Sequence, residues 1–315
     1  MLTIRNLSHD PFYNQAFEEY IYQTFPDDDI FFLWQNSPAV VVGSYQNICR
    51  EVHVEALRRL GIPVVRRMTG GGTVFHDLGN VNYTYIVRTD GGWNYDDVLA
   101  PVIAALNAIG VPARKNRVCD IAIGDLKISG SAQRIVKGRL LHHGTLLFSS
   151  DLSVLDQITT HRKNDCFQSR GTQSAICTVT NIREHLTSPM TIEKFQDRLL
   201  GQMVPPGSPH LTLTAEQEAE VCRLRDEKYR SWEWTWGRTP AFTYEKSGIF
   251  NGVPIRVAYQ AKRGIVSDAV IDCAAIDGAL AAQLLSGARL DPEGFAEVCR
   301  RLAGNASNEL MDWLM

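Results

Sequence analysis

The 315-residue chain reads as α/β (α+β): a mixed domain with largely antiparallel sheets, followed by a small α+β carboxy-terminal unit. Three observations predict this. Strands dominate between helices without a regular βαβ alternation, which disfavours a doubly wound sheet. An aromatic cluster, Trp232-Glu233-Trp234-Thr235-Trp236-Gly237-Arg238-Thr239-Pro240-Ala241-Phe242, closes the first section. Beyond it, Asn251-Gly252 marks a hairpin that opens a separate run of strands and helices. The expected domains are 1–240 and 245–315, and a hydrophobic content of 44% supports a sizeable core.

The elements follow from local pattern. Apolar runs at 30–34 and 39–42, separated by the turn cluster Gln35-Asn36-Ser37-Pro38, predict a strand pair. Val54, Leu57 and Leu60 recur at helical spacing and stop at Gly61 before Pro63. Val64-Val65 would be a strand. In 81–87, Val81, Tyr83, Tyr85 and Val87 alternate with Asn82 and Thr84, so Asn82 is expected on the side opposite the aromatics. Residues 96–109 predict a helix stopped by Gly110, and strands are expected at 120–123, 126–128, 139–141 and 145–148. The polar stretch 161–178 shows no period and is a candidate lid. Helices resume at 192–200 and 215–229. The hairpin 248–259, a strand at 265–271 and helices near 278–285 and 292–302 make up the last unit.

Composition narrows the function classes. A net charge of −3 gives no global attraction to nucleic acid or anionic membrane. There is no apolar run of spanning length and no signal-peptide pattern at the amino terminus, so a cytoplasmic protein is expected. Seven scattered cysteines without a C-x-x-C pair argue for reduced thiols and against a zinc site.

Chemistry concentrates in one stretch, Arg66-Arg67-Met68-Thr69-Gly70-Gly71-Gly72-Thr73-Val74-Phe75-His76-Asp77-Leu78-Gly79-Asn80-Val81-Asn82. Consecutive glycines lose much backbone entropy on folding, so they belong where φ is positive or a ligand lies against the main chain. Their amides can form a nest for an anion, and Arg66 and Arg67 offer planar cationic forks for phosphate or carboxylate. A glycine-rich hairpin with solvated arginines is the bland alternative. The stretch lacks both the Gly-Lys-Ser/Thr of a Walker loop and the third glycine of a dinucleotide loop.

Other polar segments join it. Lys127-Ile128-Ser129-Gly130-Ser131-Ala132 would hold an ammonium beside small residues, leaving room for a ligand on which charge develops. Of His142 and His143, adjacent on a strand, at most one would face a site. Asp120 could bind a ribose hydroxyl or Mg²⁺, and Cys166 or Cys177 in the candidate lid could be nucleophiles.

Residues 66–82, 127–132 and 142–147, in this order and spacing, resemble the lipoate-protein ligase A family. Trp34 with Val41-Val42-Gly43 and Gln46-Asn47 fits as well, as does Trp232-Glu233-Trp234 with Gly237, Pro240 and Phe242. The resemblance implies a biotin/lipoate ligase-type catalytic domain, related to class II aminoacyl-tRNA synthetases, with a small accessory domain. It implies activation of lipoate by ATP and Mg²⁺ to lipoyl-AMP and pyrophosphate, then transfer to a lysine of an apo-lipoyl domain. The implied acceptors are E2 subunits of 2-oxoacid dehydrogenases and the glycine-cleavage H protein; a monomer is expected.

Carried over, Lys127 is the reactive-centre lysine, and Gly70, Gly71 and Gly72 line the lipoate channel and adenylate phosphate. Arg67 contacts the phosphate region. Asn80 or Asn82, Asn116 and Asp120 hold polar parts of the nucleotide, with Asp120 as the Mg²⁺ ligand. His143, Gly144 and Thr145 close the site, and Trp34, Thr69, Val74, Phe75, His76, Ser129, Gly130 and Ala132 complete the lipoate- and adenylate-binding set. Two departures stand out. In the loop 170–181 the family usually carries Ser-Val-Arg-Ser-Arg-Val, and here Ile176 or its neighbour and Thr178 or its neighbour replace the two arginines; Ser44 sits where a basic residue often follows the glycine. Fewer cations near a triphosphate would weaken adenylation more than transfer. The alternatives are therefore a lipoyl or octanoyl transferase using preformed lipoyl-AMP or an acyl-carrier thioester, and a module that binds lipoate or biotin without chemistry.

Overall fold

The structure, a computed structural model, describes residues 1–89, 92, 94–159 and 166–315. The strands run β1 (Leu2–Ile4), β2 (Ile30–Trp34), β3 (Ala39–Val42), β4 (Val64–Arg66), β5 (Val74–His76), β6 (Asn80–Arg88), β7 (Arg114–Lys115) and β8 (Asp120–Ile123). Then come β9 (Leu126–Val136), β10 (Arg139–Leu147), β11 (Phe167–Ser169), β12 (His210–Leu211), β13 (Phe242–Phe250), β14 (Val253–Lys262) and β15 (Ile265–Cys273). The helices are α1 (Pro11–Thr24), α2 (Ile48–Glu51), α3 (Val54–Leu60), α4 (Tyr95–Ala108), α5 (Leu152–Thr159) and α6 (Ile192–Met203). They continue with α7 (Ala215–Leu224), α8 (Trp232–Thr235), α9 (Gly278–Leu285), α10 (Pro292–Ala303) and α11 (Ser307–Leu314).

Three sheets form the frame. The largest has eight strands in the order β12-β1-β2-β6-β10-β9-β8-β7, antiparallel through its centre. One face, carrying Phe31, Val81, Tyr83, Tyr85, Leu140 and Leu146, buries its side chains with those of α4 and α6. The other presents Phe32, Trp34, Ile86 and Leu141 to α1 and the π-helical turn Arg225–Tyr229. Strict alternation along each strand produces the two faces.

A three-stranded sheet, β4-β3-β5, carries the glycine stretch in the loop between β4 and β5. The expected pairing of β2 with β3 is therefore wrong: β3 pairs with β4 and β5, and the turn between β2 and β3 crosses from one sheet to another. Asn36 explains the crossing. It is buried in that turn, its amide takes a 2.7 Å bond from Asn14 on α1, and it lies 2.9 Å from His76 Nδ1 on β5. The short strands expected at 126–128, 139–141 and 145–148 are the ends of two long strands, β9 and β10, that run through their glycines.

The hairpin at Asn251-Gly252 is present, with φ of 48° and 78° at those residues, as a mirror-type turn requires. Its strands β13 and β14 join β15 in a four-stranded sheet whose fourth member is β11, paired to β13 from Phe167↔Tyr244 to Ser169↔Phe242. A continuous apolar cluster joins Val40, Ile48, Leu57 and Phe75 to Tyr259, Phe295 and Leu314.

Candidate active site

The polar positions of the central strands gather on the face covered by α1. Register pairs Trp34 with Asn82, Phe32 with Thr84, His143 with Thr84 and Ala132, and Thr145 with Asn82. Trp34, Asn80, Asn82, Thr84, Ala132, His143 and Thr145 thus share one surface, and Asn82 lies opposite the aromatics as the alternation predicts. His142 faces the other way, beside Tyr83 and Tyr95. Ser129 and Gly144 also fall on that far side: a β-carbon on Gly144 would come within 2.4 Å of the Tyr83 ring. Phe75 points into the core cluster with Val40 and Val42.

The two adjacent arginines divide. Arg66 is fully buried and donates to the carbonyls of Gly43, Gln46 and Thr235 at 2.8, 3.0 and 2.8 Å, and to Thr239 Oγ1 at 3.3 Å. Its fork is taken up by the fold, so it is no ligand for an anion; burial, with Arg238 and Arg67 nearby, lowers its pKa to about 9. Arg67 lies under the loop. Its Nη2 donates to the carbonyls of Gly70 and Gly72, both at 2.6 Å, its Nη1 to Val41 and its Nε to Thr69 Oγ1. Pinning these carbonyls turns them toward Arg67. Among the described residues no protein acceptor takes the amides of Gly70, Gly71 or Gly72, which leaves three donors available to an anion. Gly71 has φ of 84°, and a β-carbon there would sit 3.0 Å from Arg67 Nη2 and 3.3 Å from the Ala132 side chain. The loop therefore rests directly on β9.

Lys127 reaches the same surface through an irregularity in pairing. Ala122 pairs with Lys127 but Ile121 pairs with Ser129, so Ile128 is an extra residue in β9. Such a bulge re-aims a side chain. Here it brings Lys127 to the face of Gly130, whose missing β-carbon leaves space for the ammonium: the Lys127 Nζ would lie 2.9 Å from it. The ammonium is 2.9 Å from Asp120 Oδ1 on β8. Asn116 is exposed in the loop before β8, its amide bonded to the Asp120 carbonyl at 3.1 Å. Thr145 Oγ1 accepts from the Gly130 amide at 3.1 Å.

The candidate lid, 161–178, lies partly outside the described residues, at 161–165. Its described remainder forms a strap from the glycine loop to β9. At one end Ser174 Oγ accepts from the Thr73 amide at 2.8 Å and from Gln46 Nε2 at 3.1 Å, and donates to Glu51. At the other, the Lys127 amide donates to Thr178 and the Thr180 amide to Lys127, each at 3.0 Å. Ile176, between the anchors, is 68% exposed.

Sequence reasoning left Glu18, Thr84, Glu51 and Tyr45 out of the site and gave Gln46 only as part of a motif, without a role. Glu18, on α1 and fully buried, meets His143 Nδ1 at 2.8 Å and Thr84 Oγ1 at 2.7 Å. The available signal was Asp10-Pro11, a cap followed by proline at the first helical position, ahead of Phe17 and Ile21. Gln46 ties the Gly43 amide and the Thr73 hydroxyl to one side-chain oxygen, each at 2.9 Å. Exposed Tyr45 lines the loop near Gly70. Burial, helped by Arg67 and His143, pushes His76 down to about 3, so its ring is neutral; Nδ1 faces Asn36 and buried Nε2 has no protein partner. Asn80 Nδ2 donates to Asn82 Oδ1 at 2.9 Å, leaving Asn80 Oδ1 and Asn82 Nδ2 without protein partners. Buried polar atoms of this kind, gathered on one face, mark a surface built for a ligand.

A glycine loop with unpartnered amides, resting on the strand that carries a lysine and beside a sheet face with unfilled polar positions, has the parts that an acyl-activating enzyme would need. Residues 10–204 match the lipoyl protein ligase A/B catalytic domain, and the chain belongs to that family. It is 35% identical to lipoate–protein ligase 1 of Staphylococcus aureus over 268 residues, covering 83% of this chain and 81% of that one. A Thermoplasma acidophilum putative lipoate protein ligase with bound lipoic acid superposes with a TM-score of 0.63 at 25% identity, covering 75% of this chain and 98% of that one. A lipoate-protein ligase A bound with ATP gives 0.62 at 25% identity, covering 74% and 96%. The family and mixed-sheet fold read from the motifs are borne out.

Proposed function

We infer that the protein is an ATP-dependent lipoate-protein ligase in which Lys127 and the Gly70-Gly71-Gly72 amides hold the reacting groups. Lipoate carboxylate attacks the α-phosphate of ATP, giving lipoyl-AMP and pyrophosphate. The acceptor lysine amine then attacks the lipoyl carbonyl, forming the amide and releasing AMP. Both steps build negative charge on oxygen. An ammonium fixed beside Gly130 and preorganised amides stabilise that charge without reorganising. The unpartnered amides of the glycine loop, which rests on the strand that carries Lys127, are the observation that supports this reading.

Mg²⁺ fits the donor set as a partner of the nucleotide. Among the described residues no three metal-ligating side chains gather, yet Mg²⁺ commonly takes one or two carboxylates plus substrate phosphates. Asp120, buried beside Lys127, is the carboxylate that would hold it. When bound, Mg²⁺ would neutralise phosphate charge. Lipoyl domains of E2 subunits and the glycine-cleavage H protein are the proposed acceptors, with the chain acting as a cytoplasmic monomer. Among the described residues no helix is long and apolar enough to cross a membrane. Residues 1–240 would form the catalytic unit and 245–315 the accessory one.

Exposed Ile176, in the strap where the family carries arginines, favours a second reading: transfer from preformed lipoyl-AMP with weak adenylation. Purified protein with ATP, Mg²⁺, lipoate and an apo-lipoyl domain should yield a lipoylated acceptor by mass spectrometry. Lipoate-dependent ATP–pyrophosphate exchange separates the readings. Acceptor modification from supplied lipoyl-AMP without any exchange would leave the transferase.

A further inference from the structure

Two hydrogen-bond chains end on one buried carboxylate, and donor-only groups fix their direction. The Trp34 indole can only donate. It donates to Thr84 Oγ1 at 2.9 Å, and the Thr84 hydroxyl donates in turn to Glu18 Oε1 at 2.7 Å. The Arg67 guanidinium can also only donate. Its Nε reaches Thr69 Oγ1 at 3.0 Å, and that oxygen lies 2.8 Å from His143 Nε2. The Thr69 hydroxyl can take the Arg67 bond and still donate, so it gives its proton to Nε2 while the Glu18 carboxylate, which can only accept, holds the imidazole proton on Nδ1. That nitrogen stands 2.9 and 2.8 Å from the two oxygens of Glu18.

We propose that Glu18 is a positioning residue: as the common acceptor of both chains it sets the His143 tautomer and couples the glycine loop to the Trp34 end of the pocket. A carboxylate presents acceptors only, whereas an amide of the same shape presents one acceptor and one donor. Oε1 lies within reach of both the Thr84 hydroxyl, at 2.7 Å, and His143 Nδ1, at 2.9 Å, whereas Oε2 faces Nδ1 alone at 2.8 Å. In Glu18→Gln an amide nitrogen at either place removes an acceptor and sets a donor against Thr84 or Nδ1, and neither Trp34 nor Arg67 can reverse to compensate, so one chain is weakened. Serving Thr84 keeps the Trp34 chain intact and places the amide nitrogen against His143 Nδ1. The imidazole proton then moves to Nε2 and takes the second lone pair of Thr69 Oγ1, which leaves the Thr69 proton without its acceptor. The loss reaches the loop because the same guanidinium grips the carbonyls of Gly70 and Gly72.

The kinetic consequence rests on the ligase reading; the tautomer does not. Full-length protein labelled with ¹⁵N-histidine is read by long-range ¹H–¹⁵N spectra, with the His143 signals assigned by their loss in His143→Gln. Wild type should show His143 protonated at Nδ1, and Glu18→Gln should show it protonated at Nε2. In the same variant KM for lipoate in ATP–pyrophosphate exchange should rise about tenfold, a magnitude in line with an unpaired buried donor, with a smaller change in kcat. His143 unchanged in Glu18→Gln, or already protonated at Nε2 in wild type, overturns the proposal. Should Glu18→Gln not fold, Thr69→Val breaks only the Arg67 chain: His143 should stay protonated at Nδ1 while KM for lipoate rises, and an unchanged KM overturns the coupling. Absence of exchange in wild type would sink the ligase reading while leaving the tautomer result standing.

Discussion

The two walls of the site are built differently. The sheet wall, from Asn80 to Thr84 and His143 to Thr145, is buried and tied by side chains to Glu18 on α1. The strap around Ser174 to Thr180 is held at its two ends, and Ile176 between them is exposed. The positions where the resemblance implies arginines, Ile176 or its neighbour and Thr178 or its neighbour, fall on the strap. A wall with few native contacts can change sequence at little cost to folding, whereas a buried hydrogen-bonded wall cannot.

Lys127 belongs to the fixed wall, and its loss should produce the largest effect. Lys127→Ala removes the charge at the reacting centre, so both lipoyl-AMP formation and transfer from supplied lipoyl-AMP should fall by about 10²–10³ in kcat. Near-normal turnover in either half-reaction would take Lys127 out of that step. Melting should fall as well, because Asp120 is buried and loses its cation, so activity is compared at a temperature where the variant is folded.

Arg66 tests whether the frame behind the wall is structural. Arg66→Met leaves the carbonyls of Gly43, Gln46 and Thr235 without their donor. Unfolding free energy should drop by about 3 kcal/mol, read by urea denaturation. A variant of unchanged stability but lost nucleotide binding would return Arg66 to the role of an anion fork.

These contrasts mark what the sequence could reveal. The alternation of Val81, Tyr83 and Tyr85 with Asn82 and Thr84 was legible because strand period assigns faces without tertiary knowledge. Helix α1 was not, because Asn14, Gln15, Glu18 and Glu19 are all buried and break its apolar stripe. The expected pairing of β2 with β3 failed because a local turn signal does not say which sheet the chain enters next. The bulge at Ile128 exists only in the pairing of β8 with β9, so composition could point to Lys127 while its aim had to come from the register of two strands. The glycine loop was legible as a candidate for holding an anion; that Arg67 grips its carbonyls was not.

Acid should loosen the sheet wall next. Burial holds His76 and His142 down to about 3 in the folded protein, against roughly 6.5 in the unfolded chain. Between those values the unfolded state carries more protons, so stability is complete above about 6.5 and falls as pH falls toward 3, by up to ~1.4 kcal/mol per pH unit for each histidine. His142→Phe should flatten the decline in urea midpoint between pH 7 and 5. An unchanged slope would mean that His142 titrates alike in both states.

The strap should give the smallest effect. Ser174→Ala removes the hydroxyl that receives the Thr73 amide and Gln46 and that donates to Glu51, whose pKa burial already raises. The Thr178 and Thr180 bonds to Lys127 remain, so the strap stays tethered at its other end. A single hydrogen-bond group at a partly solvated position is worth about 1 kcal/mol, which predicts a rise of about fivefold in KM for ATP or lipoate with little change in melting. If Ser174→Ala instead matched Lys127→Ala in lost turnover, the strap would be as fixed as the sheet wall, and the residues replaced along it would have to be read as changes in chemistry.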